Sequence, residues 1–251
     1  MAKWLGFGAI LVVGVVAFAF RHDLQAAWQA HTGVEAPVAP VETAESVVEP
    51  EPPPAPVEPP PLPASVDVPV PFTSQAPFAV WDANHQDFCE EAAALMVGRY
   101  FSNRTIDGPA DADQALLTLQ QREIELFGYW QDTTAAETAR LLERQYDVTT
   151  ELVEGPTVEE LQRALSDGKL VIVPAAGREL GNPNFTPPGP LYHMLVLKGY
   201  TADGRFITND PGTRKGADFL YPFDRLLAAI HDWNDGDVPN GASVAIVVDA
   251  A

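Results

Sequence analysis

Apolar positions from residue 66 onward are spaced first for helices and then for strands. Four stretches carry apolar residues three and four positions apart, which is helical spacing: residues 89–101, about 111–127, about 134–146 and 157–168. Thr133 or Thr134 can cap the third of these helices. Thr157 and Glu160 form a capping box for the fourth, which ends near Gly168.

Short apolar or alternating runs, bounded by turn residues, predict strands in the rest of this region. The predicted strands are residues 148–153, 169–174, 193–200, 205–209, 219–223 and 243–248. Residues 202–204 form the turn of a hairpin, and residues 223–233 are predicted to be helical. Because helices come first and antiparallel strands second, the pattern predicts an α+β fold with the helices packed on the sheet.

The amino terminus holds an uncharged apolar run, Trp4–Phe20, preceded by Lys3 and followed by Arg21. Its length lies at the short end of the range for a transmembrane helix. Residues 1–33 are therefore expected to be a signal anchor that leaves the remaining chain outside the cytoplasm. A cleaved signal peptide is the alternative, because Ala17-Phe18-Ala19 matches the small-x-small cleavage pattern. That cleavage would release the protein as a secreted one.

Residues 34–64 are rich in Pro, Val, Ala and Glu and lack Lys and Arg. This composition buries no core, and dense prolines favour extended polyproline II with a rise of roughly 3.1 Å per residue. We therefore expect a disordered, semi-stiff stalk that separates the membrane from a folded domain at residues 65–251.

Charge and cysteine content exclude several classes of protein. The formal net charge of -20 argues against binding to nucleic acid. A single cysteine excludes an intrachain disulfide and a multi-cysteine zinc site. No HExxH or nucleotide-binding glycine motif is present, and Asp232–Asp237 departs from the calcium-loop pattern. We therefore expect no metal and no cofactor.

The one cysteine, Cys89, opens the first predicted helix, where the positive end of the helix dipole favours a thiolate. His193 and Asp210 follow on later apolar runs, and together the three residue types make the set needed for a thiol hydrolase. A buried structural cysteine is the alternative. Glu90 and Glu91, directly after Cys89, would oppose a thiolate if their carboxylates face it.

Four blocks of sequence, in order, resemble the papain-like cysteine peptidases related to the bacteriocin-leader-processing (double-glycine) peptidases, in particular their stand-alone relatives. The blocks are residues 67–75 (DVPVPFTSQ), 89–96 (CEEAAALM), 193–200 (HMLVLKGY) and 206–212 (FITNDPG). The resemblance covers residues 66 to about 215. It implies a papain-like fold in which the helix that begins with the nucleophile packs on a sheet that presents the histidine.

The resemblance also implies a role for each site residue. Cys89 is the expected nucleophile, His193 its proton acceptor and donor, and Asp210 the residue that orients the imidazole. Asn209 competes with Asp210, because papain itself uses asparagine there. Gln75 is expected to donate its side-chain amide to the oxyanion, beside the backbone N–H of Cys89.

The expected activity is hydrolysis of a peptide or amide bond through an acyl-thioester, with a peptide or protein as substrate. Two alternatives stay open: a papain-like binding or scaffold module without turnover, displayed on the stalk, and an amidase that acts on a cell-wall or conjugated substrate. The walls of the pocket are expected to come from the loops at residues 76–88 and 176–192. The sequence does not indicate an oligomeric state.

Overall fold

The computed structural model describes residues 60–251. The predicted anchor at residues 1–33, and the predicted stalk as far as residue 59, lie outside the described residues. Within residues 60–251, no helix has both the length and the apolar character needed to span a membrane.

Five α-helices and seven strands make up the described part of the chain. The helices are α1 (Cys89–Phe101), α2 (Pro109–Phe127), α3 (Ala135–Gln145), α4 (Val158–Ser166) and α5 (Phe223–Ala229). The strands are β1 (Val66–Asp67), β2 (Val148–Glu154), β3 (Leu170–Ala176), β4 (Tyr192–Tyr200), β5 (Arg205–Asn209), β6 (Phe219–Pro222) and β7 (Val244–Ala250). The α+β prediction is confirmed, and α1 has the predicted bounds.

One antiparallel sheet contains all seven strands, in the order β2-β7-β3-β4-β5-β6, with β1 paired to β4. Both faces of this sheet are covered. Met194 and Val196 of β4 join a core with α1, α2 and α3, whereas the alternating Leu195 and Leu197 join a second core with α4 and α5. Because a strand covered on both faces favours apolar residues on both, residues 194–197 of β4 form a continuous apolar run.

Capping boxes begin the two helices for which the sequence predicted them. Thr134, rather than Thr133, caps α3, and its side chain accepts from the backbone N–H of Glu137. Thr157 caps α4 and accepts from the backbone N–H of Glu160. In both boxes the glutamate side chain accepts in return from the cap residue, so two otherwise unpaired backbone donors are satisfied at each helix start.

The helix predicted over residues 223–233 is shorter than expected, because α5 ends at Ala229. The next residue, Ile230, has an extended backbone. This turn places Asp232 where its Oδ1 accepts from the backbone N–H of Ala135, at the start of α3, and from the hydroxyl of Tyr192. The apolar pattern continued past residue 229, but the tertiary role of Asp232 overrides it.

The segment that leads to Gln75 is tied to the strands that carry the candidate site. β1 pairs with β4, and the side-chain amide of Asn209 donates to the carbonyls of Val70 and Pro71 at 3.2 and 3.3 Å. The backbone N–H of Gln75 then donates to the carbonyl of Pro211 at 3.0 Å. Gln75 is therefore held next to the turn that follows β5.

The last residues of the predicted stalk also contact the domain. The carbonyl of Pro60 accepts from Arg163, and the carbonyl of Pro63 accepts from the hydroxyl of Tyr200 at 2.9 Å. Residues 60–63 therefore lie against the second core rather than away from the domain.

Candidate active site

Cys89 is the first residue of α1 and is buried, with 6% of its surface exposed. Because the first backbone N–H groups of a helix have no partner within the helix, the Cys89 N–H is available to an acceptor in the site. The helix packs on β4, and the backbone N–H of Met194 in that strand donates toward the Cys89 sulfur. The packing of α1 on the sheet thus brings the thiol to the start of β4.

The Cys89 thiol donates a hydrogen bond to Oε2 of Glu90 at 3.1 Å. Burial raises the pKa of the thiol well above its ordinary value, and the charge and hydrogen bond of Glu90 and the charge of Glu91 raise it further. The Met194 N–H opposes this effect. A thiolate at Cys89 therefore needs a cation nearby or a protonated Glu90.

His193 and Asp210 form a buried pair, in which Nε2 of the imidazole lies 2.8 Å from Oδ1 of the carboxylate. His193 stands near the start of β4, and Asp210 directly follows β5, so the pairing of these neighbouring strands brings the two side chains together. Since Nε2 is bonded to Asp210, Nδ1 is the ring nitrogen left to exchange a proton with other groups in the site.

Asp210 is the most completely satisfied carboxylate of the site. Oδ1 accepts from the Gly212 N–H at 2.9 Å as well as from His193, and Oδ2 accepts from the Tyr221 hydroxyl at 2.6 Å and from the Asn182 amide at 2.9 Å. Burial alone would raise the pKa of Asp210, but the charge of His193 and these hydrogen bonds hold it below its ordinary value. Asp210 is thus an anion whose two oxygens are both hydrogen-bonded.

Asn209, the alternative partner for the histidine, points elsewhere, since its amide donates to Val70 and Pro71. Asn182 and Tyr221 were missed in the sequence. They lie in a loop and in the short strand β6, and no spacing links them to Asp210. The one signal was general: a tyrosine in an apolar strand buries a hydroxyl that needs a partner.

Gln75 lines the same cleft as Cys89 and His193, but its amide N–H groups are occupied. Nε2 donates to the carbonyls of His85 at 3.0 Å and Gln86 at 2.9 Å. Oε1 is buried and has no hydrogen-bond partner within the described residues. To donate to an oxyanion, the amide would therefore have to break one of these two hydrogen bonds.

A cleft of about 740 Å³ joins these side chains. Its lining includes Gln75, Trp81, Gln86 and Cys89, together with residues 183–186, Pro190, Tyr192 and His193. Both loops that the sequence predicted as walls therefore contribute. Residues 212–215 also line the cleft, and the sequence did not single them out as a wall.

Behind Cys89 lies a cluster of three carboxyl groups, those of Glu90 and Glu91 on α1 and Glu123 on α2, each at most 1% exposed. Both carboxyl oxygens of Glu91 and Oε2 of Glu123 are buried and have no hydrogen-bond partner within the described residues. Glu123 also accepts from the hydroxyl of Thr133 at 3.1 Å. Burial raises the pKa of Glu123 to about 7 and that of Glu91 well above its ordinary value.

The cluster makes stability depend on pH. A carboxyl with a raised folded-state pKa stabilises the fold fully below its unfolded pKa and loses this contribution as the pH rises through the folded value. For Glu123, whose pKa rises from 4.5 to about 7, we expect the free energy of unfolding to fall by about 3 kcal/mol across that interval. Glu123→Gln should remove this slope, measured by urea unfolding at several pH values.

Glu125→Gln is the matched control, because Glu125 lies on the same helix but is exposed and paired with Arg122. This variant should keep the slope of the parent. An equal slope in the parent and in Glu123→Gln would contradict the assignment of a buried, protonated Glu123.

Comparison with known proteins gives the family. The sequence model of the Peptidase_C39 like family matches residues 68–234. A C39-like peptidase from Bacillus anthracis is similar to this chain with 17% sequence identity and a TM-score of 0.50, over 74% of this chain and 98% of that one. Interpain A, a cysteine protease from Prevotella intermedia, shows 14% sequence identity and a TM-score of 0.41, over 74% of this chain and 95% of that one. Xylellain, a cysteine protease from Xylella fastidiosa, shows 15% sequence identity and a TM-score of 0.38, over 76% of this chain and 87% of that one.

The search of the curated proteins found no match. At these identities the likeness to the Bacillus anthracis structure shows the fold alone. The family match shows membership of the family as well as the fold, because it spans more than half of the 251 residues. The matched range contains Gln75, Cys89, His193 and Asp210. The resemblance predicted from the four sequence blocks is thereby confirmed. The chain belongs to the Peptidase_C39 like family and is a cysteine peptidase.

Proposed function

We propose that this peptidase hydrolyses peptide or amide bonds through an acyl-thioester at Cys89, with His193 and Asp210 completing a catalytic triad. The observation that carries the proposal is one cleft, which is lined by a thiol at a helix start and by a buried imidazole bonded to a carboxylate. Asp210 fixes Nε2 of the imidazole, so Nδ1 is the atom that exchanges protons with Cys89 and the substrate.

The proposed reaction has two steps. The Cys89 thiol passes its proton to Nδ1 of His193, and its sulfur attacks the carbonyl carbon. The C–N bond breaks as imidazolium His193 gives that proton to the leaving amine. Water then attacks the thioester carbon and passes a proton to His193. The C–S bond breaks, the acid leaves, and His193 returns the proton to the Cys89 sulfur. The backbone N–H of Cys89 stabilises the oxyanion, and Gln75 joins it once its amide turns from one of the loop carbonyls.

Hydroxylamine provides a test of the thioester. A thioester intermediate partitions between water and this nucleophile, so digestion of an unfolded protein such as casein with hydroxylamine present should yield hydroxamates at the new carboxyl ends. Mass spectrometry distinguishes these from acids. Cleavage that yields acids alone at saturating hydroxylamine would argue for direct attack by water and against the nucleophilic role of Cys89.

We further propose that residues 1–33 anchor the enzyme in the membrane, with the catalytic domain outside the cytoplasm on a stalk. The apolar run at residues 4–20 and the proline-rich run at residues 34–64 support this arrangement. The whole chain should sediment with membranes, whereas a chain that begins at residue 65 should not. The anchor would be contradicted if the whole chain, like the shorter one, failed to sediment with membranes.

A further inference from the structure

The only charged side chains that line the cleft, within the described residues, are those of Arg214 and Lys215. This is notable in a chain with 35 acidic and 15 basic residues. Both side chains are exposed, and neither forms an ion pair within residues 60–251. The mechanism uses neither of them. Two unpaired cations in a substrate cleft favour an anionic group on the ligand.

The loop that carries these cations is fixed next to His193. Its ends are joined, since the Asp210 N–H donates to the Gly216 carbonyl at 2.9 Å. Within it, the Lys215 N–H donates to Oγ1 of the buried Thr213 at 3.2 Å. A Cβ atom on Gly212 would lie 2.8 Å from Cε1 of His193, so the loop backbone approaches the imidazole closely. The backbone that carries the two cations is therefore held beside the imidazole.

The proton transfers assign these charges to one half of the substrate. His193 protonates the leaving amine, and Gly212 of this loop lies against its imidazole, so we assign the loop to the residues that follow the cleaved bond. We propose that the cleft selects peptides with a carboxylate in the leaving-group half, held by Arg214 and Lys215. This inference rests on the proposed function and names the substrate class of the same site.

The charge of the alkylating reagent tests the subsite without a known substrate. The Cys89 sulfur displaces iodide from both iodoacetate and iodoacetamide, and the two reagents differ by one negative charge. In the whole chain, the alkylation rate of Cys89 by iodoacetate divided by its rate with iodoacetamide should fall about tenfold in the double variant Arg214→Glu/Lys215→Glu. The matched control is Arg140→Glu/Arg144→Glu on α3, which changes the net charge equally outside the cleft and should leave the ratio unchanged.

Peptides then identify the source of the carboxylate. From a random peptide mixture, one well-cleaved sequence is prepared with Glu, Gln or Lys in its leaving-group half, each with a free or an amidated C-terminus. We expect kcat/KM to be about tenfold higher for Glu than for Lys, and the order to reverse in Arg214→Glu/Lys215→Glu. A preference that follows the free C-terminus instead would identify the terminal carboxylate as the ligand.

The outcomes separate this inference from the proposed function. Peptide cleavage with no preference for either carboxylate, or a rate ratio that falls equally in the α3 control, overturns the subsite and leaves the peptidase function standing. A Cys89 that reacts with neither reagent, together with the absence of peptide cleavage, contradicts the proposed function and the subsite that rests on it.

Discussion

Cys89→Ala is expected to reduce peptide hydrolysis by a factor on the order of 10³ or more, because no other group can form the thioester. The substitution removes one sulfur atom at a buried helix start, so the fold should persist. The measurement is the initial rate of peptide hydrolysis in the purified variant and its parent. Circular dichroism and urea unfolding establish that the two proteins are equally folded.

Cys89→Ser is the companion variant, since it replaces the thiol with a hydroxyl of similar size at the same place. It should be about as inactive as the alanine variant, because the hydroxyl is a far weaker nucleophile than a thiolate. Hydrolysis that survives in either folded variant would show that Cys89 does not form the bond to the substrate.

Glu90→Gln is expected to raise the alkylation rate of Cys89 at pH 7 by about tenfold or more. The Glu90 carboxyl accepts a hydrogen bond from the thiol, with 3.1 Å between Oε2 and the sulfur. As an anion, this carboxyl opposes formation of the thiolate. Glutamine has the same shape without the charge, and its amide can donate to the thiolate. The second-order rate constant with iodoacetamide is measured in the parent and the variant.

The effect should depend on pH. Burial raises the pKa of Glu90 well above its ordinary value, so its carboxyl takes up a proton at a higher pH than an exposed glutamate does, and the repulsion weakens as the pH falls. The rates of the parent and of Glu90→Gln should therefore converge as the pH falls. Glu123 on α2, Asp132 in the loop before α3, and Tyr192 on β4 also face this group and contribute to its titration.

Glu91→Gln is the control for Glu90→Gln, because Glu91 is equally buried on the same helix but forms no hydrogen bond to the thiol. A much smaller increase is expected from it. A rate that falls in Glu90→Gln at pH 7 would mean that Glu90 assists ionisation of the thiol, which contradicts the opposing role assigned to it.

Much of the fold could be predicted from the sequence because local signals and burial agree. The apolar spacing in residues 89–101 and the Thr134 and Thr157 boxes coincide with the helices that form. The continuous apolar run in β4 reflects a strand covered on both faces. Local signals failed at residues 230–233, where Asp232 is needed to bind α3 and Tyr192.

The site could be predicted only as far as residue types and order allow. Cys89, His193 and Asp210 were predicted from chemistry and resemblance, and the structure pairs His193 with Asp210. The direction of a side chain depends on partners distant in sequence, which no spacing encodes. The amide of Gln75 is turned by the carbonyls of residues 85 and 86, and the carboxyl of Glu90 turns into the core toward the thiol.

The pH dependence of Cys89 alkylation by iodoacetamide, in the parent and in His193→Ala, tests the central claim most directly. A thiolate paired with imidazolium His193 should react at mildly acid pH, well below the ordinary thiol pKa of about 8.5, and this reactivity should be lost in His193→Ala. A single titration at or above about pH 8.5 that is the same in both proteins would contradict the claim that His193 activates Cys89.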